Sequence, residues 1–437
     1  MGRTYRKRKR KRCQASSINL NHESTTINLL KWLNGHDFLN SAALELRHFP
    51  ITGRGITSRK CVKENDVLIR IPMELLITFA TVDKSGLLQC IRGQNSFSIH
   101  VLLSFFIAIE KHKKESSFWV KYIQSLPDPE PVLPWTDFSD NIQLFPDDIR
   151  AKSRKFLDEF NEGCLKLKSS INDQALCQCC KKTLVSVLDK SLFRWAYVLV
   201  NTRAVYIDPQ LVLSMSDEEG ISILSDKPSM ALCPLLDMFN HHYMAGTNAD
   251  VIQDKGQLYY ELRTLRNYKK HEQFFICYGS HDNVRLLLEY GFFIPGNVND
   301  CVYFNLKEIV KVLNVSLCER RYKFIKRHQF DDKDVYVRLC EASFNMKAVL
   351  FVCVFPNVLN YDAVVFSDCY PSEFRQIMND CIKTLLEYKL CIMKEDSEKV
   401  SSTLLQSKHL SLLKTFLEYR IEFVETMLYQ FSEPNIT

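Results

Sequence analysis

The chain predicts an α+β fold in which a helical insertion splits a domain of short β-sheets and a helical domain follows. Three observations carry this. Short β-branched and aromatic runs occupy residues 42–79 and return at 259–278. Between them the apolar spacing turns helical, and beyond about residue 300 it stays helical to the end.

Residues 1–20 are basic and then polar, a composition that cannot bury enough apolar surface to order itself. Residues 26–34 read as a short helix with Leu29, Leu30, Trp32 and Leu33 on its apolar side. Leu44, Leu46 and Phe49 form a strand before a Gly53-Arg54-Gly55 turn, and Val67 to Ile71 form a buried strand that Pro72 ends. Phe97 to Lys114 is helical. A loop with Pro127, Pro129, Pro131 and Pro134 follows. Two helices are expected within 147–170 and 180–200, the second carrying Leu184, Leu188, Leu192, Trp195 and Leu199. Strands return at Tyr259–Leu262 and Phe274–Tyr278. Leu404, Leu405, His409, Leu412, Phe416, Tyr419, Phe423 and Met427 outline a late helix. The expected division is a basic tail at 1–20, a split domain at 21–299 with its insert at about 95–225, and a helical domain at 300–437.

Charge and cysteine content narrow the function. Residues 1–12 hold eight basic side chains and no acid, and removing these eight from the net charge of +6 leaves −2 for the rest. A nearly neutral body offers no broad electrostatic surface for nucleic acid, so such contact is confined to the tail. The tail itself reads as a nuclear import signal, with part of the protein in the cytosol. The 16 cysteines follow no secretory signal and read as reduced thiols. Cys177-Gln178-Cys179-Cys180 has a metal-like composition. However, no Cys/His pair at zinc-finger spacing follows it, and Cys177 and Cys179 are too close for a C-x2-C knuckle, so no metal is assigned. The apolar runs Ile99 to Ile109 and Ala348 to Phe355 are too short to span a bilayer.

Four segments carry chemistry. Gly53-Arg54-Gly55-Ile56 follows an apolar strand, and glycine lets a backbone approach a ligand; alone, it marks a tight hairpin and lacks a dinucleotide-binding continuation. Asp237-Met238-Phe239-Asn240-His241-His242 offers donors and acceptors together, as would a capping Asn and a satisfied histidine. Cys277-Tyr278-Gly279 ends a strand with a tyrosine whose hydroxyl needs a partner. Tyr290-Gly291-Phe292-Phe293 closes a helix at a glycine.

Their order is more specific than any one of them. G-x-G, then D-x-x-N-H after a long insert, then Y-G and Y-G-F resembles the SET-domain methyltransferases, in the class of the plant Rubisco large-subunit lysine methyltransferase. The resemblance covers about residues 25–300, and the helical C-terminal part resembles that class's substrate-binding domain in pattern only.

The resemblance implies S-adenosyl-L-methionine as cofactor and the lysine amine of a protein as acceptor, with histones among the candidate substrates. It implies a cofactor site of Arg54 and Gly55, of Glu74, Leu75 and Leu76, of Arg203, and of Asp237, Asn240 and His241. Tyr278 matches the catalytic tyrosine, which also touches the cofactor. Tyr290 and Phe292 match aromatic positions of the lysine channel and cofactor pocket, and Arg203 lines the same site. His242 replaces the serine common after Asn-His and is not counted as a ligand. No cysteine-rich motif follows Phe293, so no metal is implied there either. Two other readings stay open: a histidine acceptor, as in some relatives, and a non-catalytic binding module.

Overall fold

In a computed structural model of the chain, residues 17–93, 95–136, 140–331, 333–339, 341–403 and 407–432 are described. The basic run at 1–12 and the predicted helix positions Leu404 and Leu405 lie outside them. The chain forms two compact units. One comprises Met1–Pro131 with Phe156–Ser280, and the other Val132–Lys155 with His281–Thr437. Residues 281–299, grouped from the sequence with the first domain, thus belong to the second unit.

The first unit holds β1 (Ile18–Asn19), β2 (Leu39–Asn40), β3 (Leu44–Phe49), β4 (Gly53–Ser58), β5 (Val67–Pro72), β6 (Ala204–Tyr206) and β7 (Met230–Leu232). It continues with β8 (Asn240–His241), β9 (Thr247–Asp254), β10 (Gln257–Thr264) and β11 (Gln273–Ile276). These build a five-stranded sheet in the order β1-β3-β4-β11-β8, a four-stranded sheet β2-β5-β10-β9 and a β6-β7 pair. The pairings are antiparallel except β11 with β8, which run parallel.

Two sequence expectations are corrected here. Residues 18–19, assigned to the disordered tail, add a strand to β3. Gly53-Arg54-Gly55 is the start of β4, paired with β3, and the reversal is made by Pro50, Ile51 and Thr52 just before it. Gly53 has φ 67°, a left-handed conformation that glycine adopts without a Cβ clash, and this lets the strand restart straight after the turn.

The helical insert follows local rules. The helix Ile99–Lys113 begins at Ser98, whose hydroxyl accepts from the Val101 N–H, and it is buried over almost its whole circumference. The expected helix over 180–200 is two helices, Leu184–Val187 and Lys190–Arg203, because Asp189 caps the second by accepting from the Leu192 N–H. The 24 residues of Asp147–Ser170 form one helix.

The second unit is mainly helical, with its own apolar core around Phe351, Val349, Leu385 and Val424. It also contains a small sheet of β12 (Val302–Tyr303), β13 (Tyr336–Arg338) and β14 (Glu341–Ala342), which the helical reading did not anticipate. Strands of two or three residues are too short for an alternation to register. Among the described residues no helix is long and apolar enough to cross a membrane.

Candidate active site

Strand β11 organises the site. Its first half pairs with β4 (Gln273 with Thr57, Phe274 with Ile56) and its second half with β8 (Phe275 with Asn240, Ile276 with His241). Three segments far apart in sequence therefore meet at one junction, and Tyr278 emerges two residues beyond the strand.

Gly55 and Asn240 meet closely. A Cβ at Gly55 would lie 2.7 Å from Asn240 Nδ2 and would also strike Gln273 Nε2. Asn240 Nδ2 donates to the Arg54 carbonyl at 2.9 Å. The absence of a side chain at Gly55 is what allows Asn240 to lie across the β4 backbone.

Tyr278 is held at two points. Its backbone N–H donates to His241 Nδ1 at 3.0 Å, so the buried imidazole carries its proton on Nε2. Its phenol donates to the Phe239 carbonyl at 2.7 Å. With the O–H proton engaged, any further hydrogen bond at this oxygen is one it accepts. The His241 and Tyr278 rings lie 5.1 Å apart, inclined at 32°.

Asp237 anchors the charged part. Its side chain is fully buried and accepts from Arg203 Nη1 at 3.1 Å and from the Tyr122 hydroxyl at 3.2 Å. The same Arg203 nitrogen donates to the Asp237 carbonyl at 3.0 Å. Arg54 donates to the Ser125 carbonyl at 2.7 Å. Burial, and then the neighbouring Arg203 guanidinium, hold Arg54 below the ordinary arginine range. Burial, with the Asp237 carboxylate beside it, pushes the Tyr122 phenol far up. Arg203 Nε and Asp237 Oδ1 are both buried without a protein partner, a free donor and a free acceptor in one place.

The remaining predicted residues are placed differently. Glu74 sits in the 3-10 turn Met73–Leu75, is exposed, and lines a cleft of about 560 Å³ with Thr78, Phe106 and Trp119. Leu75 and Leu76 have 0% exposure, so their side chains belong to the core and only their backbone can meet a ligand. Tyr290 and Phe292 lie in the second unit with ring centroids 6.1 Å apart, and burial pushes the Tyr290 phenol up to about 12. His242 stacks on Tyr243 at 4.6 Å and accepts from the Met244 N–H.

Two partners escaped sequence reasoning. Tyr122 lies in the insert, in no motif. Phe239 contributes a carbonyl, which any residue could supply, although it lies inside the D-x-x-N-H segment.

This chain belongs to the SET-domain family, whose model matches residues 53–279. It is 34% identical to the SET domain-containing protein 4 of Homo sapiens over 71% of this chain and 69% of that protein. It is 26% identical to a ribosomal lysine N-methyltransferase of Schizosaccharomyces pombe, over 85% of this chain and 89% of that one. The fold matches the crystal structure of the SET domain of LSMT bound to lysine and AdoHcy, with a TM-score of 0.61 and 14% identity, covering 94% of this chain and 91% of that one.

Proposed function

We propose that this chain transfers a methyl group from S-adenosyl-L-methionine to the side-chain amine of a lysine in another protein, with histones among its targets. The observation that carries this reading is the junction at β11, which gathers Gly55, Asn240, His241 and Tyr278. A lysine methyltransferase among the relatives, and a lysine-bound structure of the same fold, support it.

The charged cluster fits the cofactor. Its amino-acid moiety is a zwitterion, and Arg203 Nε with Asp237 Oδ1 are a buried donor and acceptor of matching kind. Arg54 and Arg203 together outweigh Asp237 in charge, which suits a carboxylate. Asn240 fastens the β4 backbone at Arg54, His241 fastens the backbone at Tyr278 just past β11, and Leu75 and Leu76 contribute through their backbone. The cofactor, when bound, supplies a methyl group on a sulfonium.

The protein's own task is to present a neutral amine in line. Free lysine, with a pKa of about 10.4, is mostly charged at neutral pH. An apolar, aromatic surrounding and a nearby cation both disfavour the ammonium form. The Tyr278 oxygen, its proton committed to Phe239, accepts an N–H of the incoming amine and aims its lone pair. Alignment of this kind supplies up to roughly 7–11 kcal/mol in the best model reactions.

The deciding experiment is radiolabelled methyl transfer to a panel of histones and cytosolic proteins, with mass spectrometry of the product and Tyr278→Phe beside the wild type. Methyl-lysine formed by the wild type alone supports the reading. Methyl-histidine would move the acceptor, and no detectable binding of S-adenosylmethionine by calorimetry would leave a binding module. The basic run at 1–12 is assigned to nuclear import. Its deletion lowers nuclear accumulation of a fluorescent fusion, and an unchanged distribution would refute that assignment.

A further inference from the structure

A second group of chemically capable side chains lies in the helical insert, and it shares no residue with the junction around Tyr278. Residues 175–184 form a tight reversal. Leu176 and Thr183 make an isolated antiparallel bridge, the Cys177 N–H donates to the Lys182 carbonyl at 2.8 Å, and the Lys181 N–H to the Cys177 carbonyl at 2.9 Å. Lys181 takes a left-handed φ of 61° to complete the turn. The reversal brings the thiols of Cys177, Cys179 and Cys180 together. His112, in the last turn of the helix Ile99–Lys113, meets them from 68 positions before Cys180. His112 Nε2 lies 3.2 Å from Cys180 Sγ, Cys177 Sγ lies 3.2 Å from Cys179 Sγ, and all four donor atoms fall within 4.8 Å of one another.

We propose that His112, Cys177, Cys179 and Cys180 bind one zinc ion, which fastens this reversal to the end of the helix Ile99–Lys113. Three thiolates and an imidazole are a donor set that zinc takes in structural sites. Bonds of about 2.3 Å to sulfur and 2.0 Å to nitrogen in a tetrahedron put the donors roughly 3.5–3.8 Å apart, inside the spread seen here. Four protein ligands leave no open position for water or substrate, so the ion is structural.

Burial supports the same conclusion. Residues 178–182 are all exposed, and of the three cysteines only Cys177 is buried. A reversal with so little apolar surface has little hydrophobic reason to hold one conformation, whereas metal binding supplies ordering free energy directly. Cys177 and Cys180 stand at C-x2-C spacing, but no second Cys/His pair follows them downstream. The fourth donor, His112, is upstream on a helix, and the reversal brings Cys179 to the same place.

The test uses the full chain, purified in reducing buffer without chelator and analysed by elemental mass spectrometry. About one zinc per chain is expected, falling at least tenfold in Cys177→Ser/Cys180→Ser. Exchange with Co2+ should give tetrahedral d–d bands with thiolate charge transfer. His112→Cys, which keeps four ligands, should retain the ion and shift that spectrum toward the four-thiolate form, so the test survives if the double variant fails to fold. A wild type that holds no zinc and gives no Co2+ bands after reconstitution overturns the proposal. So does zinc content unchanged in a folded double variant, or a disulfide among the three cysteines in reducing buffer. None of these outcomes bears on methyl transfer, which rests on other residues.

Discussion

The Tyr278 hydroxyl donates to the Phe239 carbonyl at 2.7 Å, so the phenol is oriented by the segment that also supplies Asn240 and His241. Removing the hydroxyl leaves the ring and its backbone bond to His241 in place. Tyr278→Phe is therefore expected to lower the turnover of methyl transfer by about 100-fold or more, the scale of a lost alignment. S-adenosylmethionine affinity, read by calorimetry, should stay within a few-fold. Comparable turnover in the two proteins would remove Tyr278 from the chemistry.

Gly55 is a point where the backbone tolerates no Cβ. In Gly55→Ala the new methyl meets Asn240 Nδ2 at 2.7 Å and displaces it from the Arg54 carbonyl. A cost of about 1–3 kcal/mol in stability is expected from such overpacking. Cofactor affinity should fall as well. Denaturant titration and calorimetry on the one variant would measure both, and wild-type values in each would show that the junction can give way.

Asp237 is the carboxylate between two guanidiniums and a buried phenol. Asp237→Ala leaves Arg203 and Arg54 without it in a poorly hydrated place. A destabilisation of about 3–5 kcal/mol is expected, the range for breaking one side of a buried pair. Asp237→Asn, which keeps an acceptor for Arg203, should cost less. Thermal melting of both proteins checks the ordering, and equal losses would argue against a charge-based role.

His100 gives the first unit a pH dependence. Its Nε2 lies 2.9 Å from the Tyr197 carbonyl and its ring stacks on Tyr197 at 3.7 Å. Burial pushes the imidazole down from 6.5 to about 4, so the unfolded chain takes up this proton first as pH falls. The stability contribution is complete above about 6.5 and is lost as pH drops from there toward 4. His100→Gln should flatten that part of the stability profile in urea titrations between pH 7 and 5. An unchanged slope would assign the dependence elsewhere.

What the sequence made legible follows physical size. Val67 to Ile71 with its closing Pro72, and the helix beginning after Ser98, are long or sharply punctuated, and both are present. Strand β9 escaped because it is an edge strand of mostly polar, exposed residues, while its partner β10 is buried and was read. At the site, Asn240, His241 and Tyr278 were legible as motif residues that the fold brings together. Glu74 is the exposed member of its 3-10 turn and lines a cleft, whereas Leu75 and Leu76 beside it are buried, a difference that one residue of register decides and the sequence does not display. The Tyr122 contact was invisible, since it joins positions 115 apart through an insert that carries no motif.

The place of β11 between β4 and β8 also orders events in time. A ribosome delivers β4 and its hairpin partner β3 first, then the whole insert, then β8, and only afterwards residues 273–276. Until then β4 presents a bare edge, a template for wrong partners in a crowded cell. A nascent or truncated product ending before Gln273 lacks the strand that closes this edge, so shortened forms of this protein should be insoluble as well as inactive.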